Sequence, residues 1–445
     1  MKKVIAKSLA LLLAVVTVCG LTACGSYVKQ EGIVDVSTVP EVSGTIKFSY
    51  EANTENKKMA ANAYIDAFIA KYPNAKVVRD YDYKTTQADQ RISARNIGDV
   101  FYFAESEAYN YAKTQGALMP LDHYMQAFKI DTADIYSGIY AAGMIDGKYY
   151  YVARDFNQMI MTYNEDALVE AVLTEDVKTG WTWDTFIEVC EKLTNDTQYG
   201  AKIDLAYPPV FIPLLNAVGK TDENGRVKTW YNTATRTIDF TSDGMLDAIQ
   251  QLFEAHDSGW IDLGLASANF AEKEPVFKQH VYIQVDTLGQ EFDEKETEWD
   301  MIHLPLTNNP MFGCGSSGVG VYNGTKNANA AAAFALFFYT QDGQIAFNGQ
   351  DGGSVPVLAS LKDADFWRHA EDDWSEKNWD ANIYMADEYA VIGQFKCILP
   401  PEVAEIIENN LRDALIEVTQ GADLSTKMGA IQKIANEKWA SLAEG

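Results

Sequence analysis

The segment Gly313-Cys314-Gly315-Ser316-Ser317-Gly318 has the GxGxxG spacing that can cradle a phosphate. That chemistry needs a strand before the glycines and a helix after them, so that phosphate meets the helix N-terminus. Here Pro305 and Asn308-Asn309-Pro310 precede the segment, and the β-like run Val319-Gly320-Val321-Tyr322 follows it. Dinucleotide binding is therefore rejected, and the glycines suit a close approach of backbone to a ligand or a hinge. The five His, at 123, 256, 280, 303 and 369, show no metal-ligand spacing. Ser317 lacks the flanking glycines of a nucleophile elbow. Carboxylate pairs abound in so acidic a chain, so none singles out glycosidase chemistry. The turn Asp222-Glu223-Asn224-Gly225 reads as a simple reversal. No catalytic residue, metal or cofactor is expected.

Cysteine has a different meaning at the start of the chain. Lys2, Lys3 and Lys7 precede the apolar run Leu9 to Val18, as in a secretory signal. Leu21-Thr22-Ala23-Cys24 then resembles the bacterial lipobox. Residues 1–23 are expected to be removed and Cys24 to carry the lipid. Residues 24–43 would form a flexible tether, placing the protein on the extracytoplasmic face of the cell membrane. Cys190, Cys314 and Cys397 are an odd set without CxxC spacing, so neither a disulfide framework nor a zinc site is suggested. The formal charge of −27 becomes −30 without Lys2, Lys3 and Lys7. Such a chain repels nucleic acid.

The elements that must position any site alternate between strand and helix, which defines an α/β protein. Ile46, Phe48 and Tyr50 alternate as in a strand, a helix is predicted over 56–72, and Lys76-Val77-Val78 is a second strand. Residues 99–104 form a third, with a helix predicted over 107–115 and Ser106 as its cap. Strands are predicted at 149–152 and 159–163, and helices from Thr182 and over 243–257. The strand 319–322 leads to an Ala-rich helix over 328–340, and two helices close the chain, the last capped by Ser425. In open α/β sheets ligands gather at the C-terminal ends of strands. That rule names Glu51, Asn53 and Thr54 after the first strand, and Phe103, Glu105, Ser106 and Glu107 after the third.

Five landmarks then occur in a telling order. They are Lys71-Tyr72-Pro73-Asn74; Gly98-Asp99-Val100 with Tyr111 to Asp122; Asp146-Gly147-Lys148 leading to Tyr163-Asn164-Glu165; Thr182-Trp183-Asp184; and the strand from Gly318 with Asp342-Gly343-Gln344. In this order, over residues 44–445, the chain resembles the extracellular solute-binding protein family 1, the maltose-binding-protein-like receptors of ABC importers. Ala153 stands where that family often has Pro. The resemblance implies two lobes, 44–154 with 310–356 and 155–309 with 357–445, and a ligand cleft between them. It places Asp155 and Asn157 at the first crossing and Ser316 and Ser317 near the second. Tyr207, Asp286, Trp374 and Trp379 would face them from the second lobe.

Carboxylates, amides and aromatic faces suit a carbohydrate, with an oligosaccharide favoured. Trp181 and Trp183 are further aromatic candidates, although Trp183 opens a helix and suits packing. The implied partners are two permease subunits and an ATPase across the membrane, with the receptor itself a monomer. A peptide, polyamine or other cation is the alternative ligand, and a surface glycan-acting enzyme the alternative class.

Overall fold

The computed structural model describes residues 39–217, 229–265, 267–307, 309–351, 353–369 and 373–442. The predicted leader, Cys24, most of the tether and the turn at 222–225 lie outside these residues.

The β-α-β opening forms as the alternation predicts. Strand Gly44–Ser49 is followed by helix Glu55–Lys71, and Ala75–Asp80 pairs with the first strand in parallel. Thr54 caps the helix by accepting from the Lys57 N–H at 3.2 Å. Thr54 is thereby committed to the backbone. The first sheet runs Ala75–Asp80, Gly44–Ser49, Val100–Ala104, Ser317–Val321, Val152–Ala153. Its last two strands run antiparallel to their neighbours.

The second sheet runs Ile261–Asp262, Gln198–Lys202, Glu274–Val281, Asn157–Asn164, Phe312–Gly315, Ala390–Ile392. The long strand Asn157–Asn164 pairs with Phe312–Gly315 at its start and with Trp299–His303 along the rest. Its pleat separates two cores. Ile160 joins the cluster that runs from the first lobe through Val285, Phe292, Trp299 and Met301, whereas Met159, Met161 and Tyr163 join the separate core of the second lobe. This is the two-lobed α/β architecture.

Several local expectations shift. The crossing falls at Ser316 rather than at 310, because Phe312–Gly315 is paired into the second sheet and Ser317 opens a strand of the first. Residues 357–360 stay with the first lobe: Leu358 bridges Ile135, and the Ser360 N–H and hydroxyl both bond Asp134. The strand predicted at 149–152 is interrupted. Lys148–Tyr149 forms a hairpin with Met144–Ile145, and only Val152–Ala153 reaches the sheet. In place of a regular helix over 107–115 there is a tight turn, Glu105–Glu107, then a wide one, Asn110–Thr114, with no side-chain cap from Ser106. The Ala-rich helix ends at Leu336, and Asp423 rather than Ser425 caps the final helix, accepting from the Thr426 N–H at 2.8 Å.

Candidate ligand cleft between the lobes

Strand ends from both sheets converge on one gap. From the first lobe comes the turn Glu105–Glu107, directly after Val100–Ala104. From the second comes the segment after Gln198–Lys202, where Asp204 and Tyr207 precede helix Pro208–Ala217. Opposite these stands the segment after Ala390–Ile392, carrying Gln394 and Lys396, backed by Glu408 and Arg412 of helix Pro401–Thr419. Together with Ser106 these side chains enclose a cavity of about 360 Å³.

The wall is polar and its charges are matched. Arg412 bonds both oxygens of Asp204, at 2.9 and 2.7 Å, and also donates to the Gly264 carbonyl at 2.9 Å. One terminal guanidinium nitrogen spans both carboxylate oxygens and the other holds the Gly264 carbonyl, which fixes the Arg412 head against the Asp204 segment. Lys396 stands 3.8 Å from Glu405 and 4.0 Å from Glu408. Burial pushes the Glu408 carboxyl up, against the pull of Lys396. Among the residues that line the cavity, Asp204 and Glu408 stand with Arg412 and Lys396, and Lys396 is shared with Glu405 behind them. Tyr207 is 39% exposed and lines the gap.

A second cavity of about 280 Å³ also lies between the lobes. Glu105, Tyr109 and Met144 line it from one side, and Cys397, Pro400 and Trp439 from the other. Glu105 is only 5% exposed, and burial pushes its carboxyl up to about 8 despite hydrogen bonds from its own N–H and that of Ser316.

Of the residues named by sequence, Ser106 and Tyr207 meet in the first cavity, and Glu105 lines the second. Asn53 and Glu107 remain accessible, and Glu107 accepts from Asn110 at 3.4 Å. Glu51 is partly committed: burial would raise its carboxyl, but the Thr85 N–H and hydroxyl, at 2.9 and 2.7 Å, hold it lower.

Other candidates are occupied elsewhere. Phe103 is core, packed edge-on to Tyr111 at 5.0 Å. Asp155 is fully buried, paired with Arg154 at 2.8 Å and bonded to Ser317. Asn157 accepts from the Ser354 hydroxyl at 3.2 Å, and Ser316 shares a hydrogen bond with the Tyr151 hydroxyl at 2.9 Å. Asp286 is exposed beside His369, at 3.7 Å.

The tryptophans go to packing. Trp379 is buried, with the His369 ring stacked on it at 4.5 Å, Tyr282 at 5.9 Å, and its N–H donated to the Trp374 carbonyl. Its ring therefore has no free face for a ligand. Trp374 is half-buried, crosses Trp299 edge-on at 5.3 Å and donates to Asp293 at 3.0 Å. Trp181 is buried and donates to the His303 carbonyl, and Trp183 packs edge-on against Phe186.

Sequence reasoning missed Asp204, Lys396, Glu408 and Arg412. Asp204 was within reach, since it follows a strand and obeys the same edge rule. Arg412 sits mid-helix and carried no local signal. Among the described residues no cluster of His, Cys, Asp and Glu is arranged to hold a metal ion. No described helix is long and apolar enough to cross a membrane.

Two α/β lobes closing on a polar, charge-matched cleft define a binding receptor of the hinged, two-lobed class. The model of the bacterial extracellular solute-binding proteins matches residues 63–376, and the chain belongs to that family. Membership implies work outside the cytoplasm. No curated protein matches the chain by sequence. Among solved structures the chain is similar to the sugar-binding protein MalE of Xanthomonas citri, at 16% identity and TM-score 0.71, covering 90% of this chain and 98% of that one. It is equally similar in fold to the cyclic α-maltosyl-1,6-maltose binding protein of Arthrobacter globiformis, at 17% identity and TM-score 0.71, covering 89% and 99%. UgpB of Mycobacterium tuberculosis, solved with glycerophosphocholine, matches at 17% identity and TM-score 0.67, covering 91% and 100%.

Proposed function

We propose that this protein is the carbohydrate receptor of an ABC importer, held at the outer face of the membrane by lipid on Cys24. It takes an oligosaccharide between its lobes and delivers it to the permease. The charge balance of the cleft wall carries this reading. A polyamine would require an excess of carboxylates, and a phosphorylated ligand an excess of cations. In the first cavity Asp204 and Glu408 are offset by Arg412 and Lys396. A neutral ligand rich in hydroxyls, each both donor and acceptor, matches that wall. The half-exposed Tyr207 ring supplies the apolar face against which a pyranose packs. A ligand touching both Ser106 and the second lobe binds the closed form better, and so drives closure.

The test is a thermal-shift screen of linear and cyclic α-glucans, other oligosaccharides, polyamines, short peptides and glycerophosphodiesters, followed by calorimetry. A rise in melting temperature confined to oligosaccharides, with the glycan recovered intact, supports the reading. A rise with polyamines or glycerophosphodiesters alone overturns the ligand class. Glycan cleavage abolished by one carboxylate substitution would make the protein an enzyme.

A further inference from the structure

Glu105 is one of the buried charged residues among those described, at 5% exposure. It belongs to the first lobe, on the turn that follows Val100–Ala104. The second lobe closes over it. A Cβ added at Gly315 would sit 3.3 Å from its Oε1, and the turn Phe395–Cys397 packs on its own turn. Phe395 is rooted in the second core, so this contact is made between lobes.

Among the described residues, the groups that face Glu105 offer it no cation. From the first lobe come the Tyr151 hydroxyl and, at the crossing, Asp155. From the second come the Cys314 thiol, the Cys397 thiol and Tyr207. The cations nearby are engaged. Arg154 is paired with Asp155 at 2.8 Å, and Lys396 lies between Glu405 and Glu408. What Glu105 does receive is backbone N–H donors, its own and that of Ser316. An ionised carboxylate enclosed without a counter-charge is costly, and such a group neutralises instead.

We propose that Glu105 couples lobe closure to the uptake of one proton, so that the receptor closes more readily in acidic surroundings than in alkaline ones. Opening the gap between the turn Phe395–Cys397 and Glu105, with Gly315 staying at the hinge, returns the carboxyl to water, where it ionises. Closing it requires a solvent proton on the carboxylate, and no other atom changes hands. In the closed form the carboxyl titrates at about 8, well above its ordinary 4.5. The closed form therefore holds a proton that the open form lacks over that whole interval. Closure is strongest at low pH and weakens as pH rises, and the open form loses its own proton only near the ordinary carboxylate range. The coupling holds whatever ligand fills the cleft.

Small-angle X-ray scattering of the ligand-free protein from pH 5 to 9.5 tests this. The expected result is a radius of gyration that grows with pH, the closed-to-open ratio falling by about tenfold per pH unit between the two titration points. Glu105→Gln should hold the compact profile at every pH, and Glu105→Lys the open one. Melting curves identify any variant that does not fold, and the wild-type pH series stands without it. A wild-type profile constant across the range, or a Glu105→Gln protein with the wild-type pH dependence, overturns the proposal. Neither outcome bears on which ligand the cleft takes.

Discussion

Asp155 grips Ser317 twice: the Ser317 N–H donates to one carboxylate oxygen at 2.7 Å, and the Ser317 hydroxyl to the other at 3.0 Å. The two residues lie on separate crossing segments, 162 positions apart, at the junction of the two sheets. Arg154 closes the group, paired with Asp155 at 2.8 Å and lying 4.8 Å from the centre of the Phe347 ring. The crossings are thereby tied into one strut, and a hinge of this kind turns as a unit.

Removing one partner of that strut leaves a buried charge without compensation. Asp155→Ala should lower unfolding free energy by about 3–5 kcal/mol, the usual cost of breaking a buried pair. Denaturant titration measures it. A loss below about 1 kcal/mol would show that Arg154 finds other partners.

Tyr207 and Trp379 should separate ligand binding from packing. Tyr207→Ala should weaken binding of the best oligosaccharide about thirtyfold, near 2 kcal/mol, as for a hot-spot side chain. Its unfolding free energy should change by less than about 1 kcal/mol. Trp379→Ala opens a core cavity and should cost about 3–5 kcal/mol of stability. Calorimetry and chemical denaturation on both proteins would give the opposite pattern if Trp379, and not Tyr207, met the ligand.

The buried imidazoles predict sensitivity to acid. Burial holds His280 and His303 near 4, well under the ordinary 6.5. The unfolded chain takes up protons near 6.5 and the folded chain only near 4. Stability from these groups is therefore full above 6.5 and lost as pH falls toward 4. The expected loss is on the order of 3 kcal/mol for each. Glu105 pulls the other way, because its folded carboxyl holds a proton up to about 8. The His term is therefore read as the difference between wild type and His303→Gln, in denaturant unfolding at pH 7, 6 and 5. Identical pH slopes would refute it.

On the proposed anchor, in which the Cys24 thiol of Leu21-Thr22-Ala23-Cys24 takes a diacylglyceryl group, Cys24→Ala should abolish lipidation. Radiolabelled palmitate and cell fractionation check this. A cleaved variant still retained on membranes would count against the anchor.

What the sequence determined by itself is what is local. Alternation at Ile46, Phe48 and Tyr50 gave the first strand, and Thr182 with Phe186, Val189, Cys190 and Leu193 gave a capped helix with all four apolar residues inward. The edge rule named Ser106 and Glu105, because a strand's end is fixed by the residues beside it. The tertiary structure alone decided which side chains meet. Arg412 and Asp204 are 208 positions apart, and no periodicity joins them. Trp379 lies in a polar run, yet the rings of Tyr282 and His369 and the backbone carbonyl of Trp374 enclose it. Asp155 looks free for ligand until Ser317 and Arg154 claim it. Burial and pairing are properties of the packed whole: a side chain's environment is set by elements brought together across the fold, and neighbours in sequence leave it undetermined.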